Sequence, residues 1–349
     1  MAYFTELGLA VTNIWNGPDE IEKIIDHLTN ENCKEVVIFC QTEHDNWSFS
    51  SFDKILDLAK SKNVPVTITN GTKEIYRPVP RLSDYNLIHI PNFWMSYTLC
   101  CWIREKINLD KLWISDITKL DYKYHFLSLN RLAHRHRMEM MDLLAMYDLV
   151  DSNAISWHNL EPFPYTYKFW SPKTRKLSDN FDYYYDLKMM PTEYYESFSQ
   201  LVVESDVECL FVTEKTAWPL FIGKPFLVAS CQGFHKHLET MGFQLYDEIF
   251  DYSFDSEKDQ TLRFCMIADN FRKLSKIPLS DLNKLAESIK DKVLHNRKMI
   301  IHYATNHETY PDIIKRFYNL YKETGIIVDY FTTSTFIELE KFSYENKYL

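Results

Sequence analysis

Glycine is scarce in this chain, with 7 in 349 residues. A protein built on many glycine-rich phosphate loops needs more, because such loops bring backbone amides to a ligand where a side chain would intrude. That construction is excluded. No stretch approaches the ~18 uninterrupted apolar residues of a membrane-spanning helix, so no span is expected. There is no surplus of positive charge either. The net charge of -10 is not the usual footprint of a nucleic-acid binder, although an anion is steered by the local field and not by the total. The seven cysteines lack metal-ligand spacing: Cys100 and Cys101 are adjacent and the others stand alone. An odd count without a framework reads as reduced thiols in a cytoplasmic protein. The opening Met1-Ala2-Tyr3-Phe4-Thr5-Glu6 has no basic segment leading into an apolar run, so no signal peptide is expected.

What is present fits a globular chain. Hydrophobic residues at 46% and charged residues at 25% allow a real core. At roughly 150 residues per domain the length suits two domains. Ile21, Ile24, Ile25 and Leu28 recur at helical spacing, residues 35–40 read as a buried strand, and 52–59 read as a helix. Residues 64–69 are a second strand closed by an Asn70-Gly71 turn; 86–90 and Leu112-Trp113-Ile114 are read as two more. Strand–helix alternation of this kind argues for a parallel sheet with crossover helices.

The pattern restarts near Tyr122. A strand over 124–129 leads to a helix carrying Met138, Met141, Leu144 and Leu149, then to a strand over 153–157. Further strands are expected at 201–203 and 225–229, and Leu282, Leu285, Ala286, Ile289 and Val293 form a helical stripe. Residues 159–195 are rich in Tyr, Phe and Pro without a clean period, and read as a long surface excursion bordering a site. The predicted organisation is two Rossmann-like domains, 1–120 and 121–305, with a tail 306–349 expected to pack back on the first.

Doubly wound sheets bind ligands beyond the carboxyl ends of their strands. After the strand 124–129 comes Asn130-Arg131-Leu132-Ala133-His134-Arg135-His136-Arg137. Cations at a helix start oppose the helix dipole. A bound anion would explain them, and amides with guanidinium groups suit a diphosphate. A solvated basic face accounts for the same run equally well. A second cluster is Phe211-Val212-Thr213-Glu214-Lys215, followed by Gly223-Lys224-Pro225. Thr213 suits an N-cap; in the first turn Glu214 is favourable and Lys215 is not. The carboxylate can take two ribose hydroxyls and the ammonium a phosphate. The competing reading is an ordinary helix start followed by a turn into a strand.

These segments, in order, resemble the sugar-nucleotide domain of fucosyltransferase-like and viral-type glycosyltransferases of the GT-B class. The resemblance runs from Phe126-Leu127-Ser128-Leu129-Asn130-Arg131 with His136-Arg137, through Thr213-Glu214-Lys215 and Gly223-Lys224-Pro225-Phe226. It continues through Gly233-Phe234-His235-Lys236-His237-Leu238 with Met241-Gly242-Phe243, then Asp251-Tyr252-Ser253-Phe254-Asp255 and His295-Asn296-Arg297. It implies an α/β fold of two Rossmann-like domains facing each other across a cleft. It implies that Asn130, Arg131, Arg137, Thr213, Glu214 and Lys215 hold the donor, with Glu214 on the ribose and Lys215, Arg131 and Arg137 on the diphosphate. Ala217-Trp218 departs from the usual pair at that place, which leaves the sugar and base open. Glu204 matches a glutamate of the viral-type pattern, with a structural role as the alternative.

The expected reaction moves a sugar from a UDP- or GDP-sugar to a hydroxyl of a glycan acceptor, with no obligatory metal or other cofactor. Fixed cations and a helix N-terminus would stabilise the departing diphosphate. Glu43, His44 and Asp45 directly follow the strand 35–40, so one of them is the candidate general base; a polar loop is the alternative. The pairs His134/His136 and His235/His237 suit a metal poorly, since i and i+2 point apart on a helix. Trp47, Trp94 and Trp157 are candidates to stack on a sugar or base, although burial is the default for Trp. Two other readings remain: transfer to a modified base of phage DNA, and a sugar-nucleotide-binding protein without catalysis. The expected location is cytoplasmic, in the host if the chain is viral.

Overall fold

The computed structural model describes residues 3–4, 8–13, 18–30, 32–40, 50–71, 86–90, 93–158, 165–178, 190–306, 312–325, 335, 337–339 and 341. Glu43, His44, Asp45 and Trp47 lie outside the described residues. By internal contacts the chain separates into two units. One comprises Met1–Cys100, Cys209–Val212 and Tyr303–Tyr348; the other comprises Cys101–Glu208 and Thr213–His302.

The first unit carries a five-stranded sheet in sequential order: β1 (Tyr3–Phe4), β2 (Leu9–Asn13), β3 (Glu35–Cys40), β4 (Val66–Asn70) and β5 (Asn86–His89). β2 to β5 are parallel and β1 is antiparallel to β2. β2 is not marked in the sequence, because Leu9-Ala10-Val11 is too short an apolar run for periodicity to separate from a loop. Helix α1 (Pro18–Asn30) leads from β2 to β3, and α2 (Ser50–Ser61) from β3 to β4. Strands added in one direction with right-handed crossovers put both helices on one face. There Ile24, Leu28, Ile55 and Ala59 pack with Val36, Ile38 and Ile68. Strand alternation turns Phe39 to the opposite face. The ring of Phe317, from the helix Asp312–Thr324, meets it at 6.0 Å, and Arg316 pairs with Glu35 at 2.7 Å.

Helices α3 (Phe93–Arg104) and α4 (Leu109–Leu112) precede the second sheet. The strand expected at Leu112-Trp113-Ile114 is not formed. Asn108 caps a helical turn there, its side chain accepting from the Asp110 amide at 3.1 Å, and local capping outweighs the apolar run.

The second sheet is wholly parallel, in the order β7–β6–β8–β9. Its strands are β6 (Tyr124–Asn130), β7 (Ala154–Trp157), β8 (Ser197–Val203) and β9 (Phe226–Ala229). Helix α5 (Arg135–Met146) follows β6, the short α6 (Thr192–Glu196) precedes β8, and α7 (Glu214–Ile222) joins β8 to β9. Then come α8 (Phe234–Thr240), α9 (Gln260–Leu274) and α10 (Leu282–Thr305). Every residue of β8 is buried, as in a sheet covered on both faces; on one face Phe126 meets Phe271 of α9 at 4.6 Å. The chain leaves β6 to one side for β7 and returns on the other side as β8. The β6–β8 boundary is therefore a topological switch point, where such sheets open a crevice beyond their carboxyl ends. Among the described residues no helix is long and apolar enough to cross a membrane.

Candidate functional site

The switch point is organised by Glu204, the residue after β8. Its side chain is fully buried, at 0% exposure, and each carboxylate oxygen takes two donors. Oε1 accepts from the Thr213 amide at 3.1 Å and the Thr216 hydroxyl at 2.5 Å. Oε2 accepts from the Thr213 hydroxyl at 2.5 Å and the Ser205 amide at 3.2 Å. Burial pushes this carboxyl above its ordinary value, against the pull of Lys215 and the two threonines. The Glu204 carbonyl accepts from Nε2 of His136 at 2.8 Å. A carbonyl can only accept, so the proton sits on Nε2. Burial, and then the charge of Arg137, lower His136 to about 3, and the ring is neutral. One glutamate thus joins the end of β8 to the first turns of both α5 and α7.

Thr213 caps α7, its hydroxyl accepting from the Lys215 amide at 3.2 Å. The Lys215 ammonium donates to Ser205 Oγ at 3.0 Å and to Glu214 Oε1 at 2.9 Å. Arg137 approaches the same Ser205 oxygen with Nη2 at 3.5 Å and donates from Nη1 to the Leu132 carbonyl at 3.3 Å. Arg137 is 3% exposed, and its Nε has no hydrogen-bond partner among the described residues. For Glu214, burial alone would raise the carboxyl. The Lys215 ammonium outweighs it, with help from Arg137, and the group lies below its ordinary value. A serine 3.0 Å from a lysine also invites comparison with a nucleophile–base pair. The Lys215 ammonium also donates to Glu214, and Ser205 Oγ lies between two cations, Lys215 and Arg137.

Four of the expected donor residues, Arg137, Thr213, Glu214 and Lys215, therefore come together. Asn130 ends β6 and turns inward: its Nδ2 donates to Ser128 and its amide to Ser156, both at 3.0 Å. Its buried Oδ1 has no partner among the described residues. Arg131, half-buried, follows in the β6–α5 turn. The expected site did not include Ser205. Its place at the carboxyl end of β8 is the signal that could have found it.

Residues 165–178 of the long excursion are tied to α5 and β7, whereas 190–195 lead into the amino end of β8. Asp142 of α5 accepts the amides of Lys168, Phe169 and Trp170 at 2.9, 2.7 and 2.9 Å. Trp170 meets Trp157 edge-on at 5.0 Å, and Arg175 exchanges both backbone hydrogen bonds with Trp157 at 2.8 Å. Trp157 stands in register with Asn130 and is buried, so its indole is core and not an open stacking platform.

The remaining motif segments clamp the fold. Asn296 donates to the Gln244 carbonyl at 2.8 Å and accepts from its amide at 2.7 Å. His295 bonds the Gly242 carbonyl at 2.8 Å. Arg297 closes the carboxyl end of α7, donating to Phe221, Ile222 and Ile114 carbonyls at 3.0, 2.6 and 2.7 Å. Gly223 caps that end at φ +92°, where a Cβ would fall 1.9 Å from Arg297 Nη2. Asp255 accepts the His235 and Lys236 amides at 3.0 and 2.9 Å. It also faces His235 Nδ1 at 3.1 Å, while Nε2 of that ring accepts from the Val228 amide at 3.1 Å.

No family model matches the chain, and neither does a curated protein or a solved structure.

Proposed function

We propose that the chain is a GT-B glycosyltransferase that moves a sugar from a UDP- or GDP-sugar to a hydroxyl, most simply on a glycan. The observation that carries this reading is the meeting of Arg137 and Lys215 at Ser205 Oγ, beside Glu214, at the β6–β8 switch point. Two cations and the amides at the start of α7 suit a diphosphate, and Glu214 is the acceptor for ribose hydroxyls. As the glycosidic bond breaks, charge grows on the departing diphosphate. Groups already held in place stabilise it without reorganising. Acceptor deprotonation falls to one of Glu43, His44 or Asp45.

A thermal-shift screen with UDP, GDP, CDP and their sugars tests the reading. A ligand at 100 times its Kd adds about 2.7 kcal/mol of stability. Stabilisation by a nucleoside diphosphate and its sugar, followed by transfer to a glycan, supports it. No stabilisation by any of them rejects it.

A further inference from the structure

The ammonium that would meet a phosphate is already engaged by its own neighbour. Lys215 Nζ lies 2.9 Å from Glu214 Oε1, with the two side chains 11% and 26% exposed. Arg137 also acts on Glu214 electrostatically. Its guanidinium, buried with Nε unpartnered among the described residues, approaches the same Ser205 oxygen as Lys215. The site therefore holds two cations and one carboxylate, with Glu204 buried behind them. A bare anion entering here must take Lys215 from Glu214 and leave the carboxylate facing a like charge. A ligand that carries hydroxyls beside its phosphates replaces what Glu214 loses, because those hydroxyls donate to the freed carboxylate.

Resting on the nucleotide-sugar reading above, we infer that Glu214 is a specificity-determining residue. Its pair with Lys215 filters the site against inorganic phosphate and pyrophosphate and in favour of ribose-bearing diphosphates. The filter needs no steric gate. It works because the carboxylate repels an anion and accepts from a sugar hydroxyl, so one group penalises one ligand class and rewards the other.

The test is calorimetric titration of the full chain, as wild type, Glu214→Gln and Glu214→Asp, with pyrophosphate, UDP, GDP and the nucleosides uridine and guanosine. Glu214→Gln should bind pyrophosphate about tenfold more tightly than wild type, the change expected when a like charge is removed from a few ångströms away in a partly solvated site. It should bind the preferred nucleoside diphosphate more weakly. Glu214→Asp keeps the charge and should keep the poor pyrophosphate binding; melting curves of both variants report folding. Unchanged or weaker pyrophosphate binding in folded Glu214→Gln overturns the filter, as does equal tightening in Glu214→Asp. If Glu214→Gln does not fold, Glu214→Ala takes its place: folded Glu214→Ala must also bind pyrophosphate more tightly than wild type, and unchanged or weaker binding overturns the filter. Tightened pyrophosphate binding with no nucleoside-diphosphate binding in any variant overturns the nucleotide-sugar reading alone and leaves the charge filter standing.

Discussion

Glu204 holds Thr213 twice, at its amide (3.1 Å) and at its hydroxyl (2.5 Å). The capping residue of α7 is thereby tied to the end of β8 before it caps anything. Its hydroxyl donates to Glu204 and accepts from the Lys215 amide, so the direction in which α7 starts, and with it the position of Lys215, follows from a buried carboxylate.

Glu204→Gln should destabilise the second unit by about 1.5–3 kcal/mol, the range for hydrogen bonds to charged groups. Each carboxylate oxygen takes one backbone N–H, from Thr213 or from Ser205. Either orientation of a glutamine amide therefore sets an NH2 against an N–H. Urea unfolding followed by tryptophan fluorescence measures the loss. An unchanged midpoint would mean that the carboxylate does not hold the α7 start.

His136 should give the protein an acid-sensitive step. Its value falls from 6.5 to about 3, chiefly through burial. A depressed folded-state value contributes stability that is complete above the unfolded value and is lost as pH falls. The erosion therefore starts below pH 6.5 and steepens toward pH 3, by up to about 1.4 kcal/mol per pH unit for one proton. Glu204, whose carboxyl is raised by burial, acts in the opposite sense at the acid end. His136→Gln should flatten the slope between pH 6.5 and 5; a slope as steep as wild type would assign it to another group.

The strands of the second sheet were legible wherever the apolar run was continuous, as at Phe126-Leu127 and Val202-Val203, because a doubly covered strand has no polar face to interrupt it. The first half of β8 was not. Ser197, Ser199 and Gln200 are buried there, and they are tolerated because hydrogen bonds satisfy them: Ser199 to the His125 carbonyl, Gln200 with Tyr194. Such partners are invisible in a linear sequence. The same holds for the site. Thr213-Glu214-Lys215 could be read as a helix start, but a seat at Ser205 needs the return of β8 beside β6, which only the sheet order supplies. His295-Asn296-Arg297 drew attention for its composition, and its three side chains turn out to bond backbone in other segments.

Lys224→Met should stabilise the protein below neutral pH. Lys224 is almost wholly buried, donates to the Ser197 carbonyl and lies over the Tyr194 ring at 5.1 Å. Burial lowers it from 10.5 to about 7. For a base depressed in this way stability is complete above the unfolded value, falls between pH 10.5 and 7, and is lowest once the buried ammonium is charged. Methionine fills a similar volume without that charge. The gain at pH 6 should be about 1–4 kcal/mol, the range for exchanging buried ionised groups for apolar ones, and should shrink toward pH 10. Melting temperatures of both proteins across that range measure it, and a gain independent of pH would place the cost elsewhere.

Lys215→Met should separate the two halves of a bound nucleotide. The ammonium reaches Ser205 and Glu214, so on the proposed reading it meets the diphosphate and does not touch the base. Removing it should cost about 1.5–3 kcal/mol of diphosphate binding, the value of a hydrogen bond to a charged group. That is roughly 10- to 150-fold in Kd for UDP or GDP. Uridine or guanosine, which carry no phosphate, should lose far less. The fold should tolerate the change: the methionine keeps the buried part of the side chain, and Glu214, partly exposed at 26%, can turn its freed carboxylate to water. It remains in the first turn of α7, where a negative charge is favoured by the helix dipole. Glu214→Ala should show the complementary pattern, losing the nucleoside together with the nucleoside diphosphate. Titrating all four ligands against both variants reads the two roles independently. If both variants lose nucleoside and diphosphate in equal proportion, the assignment of Glu214 to ribose and Lys215 to phosphate fails, and the pair acts only as the start of a helix.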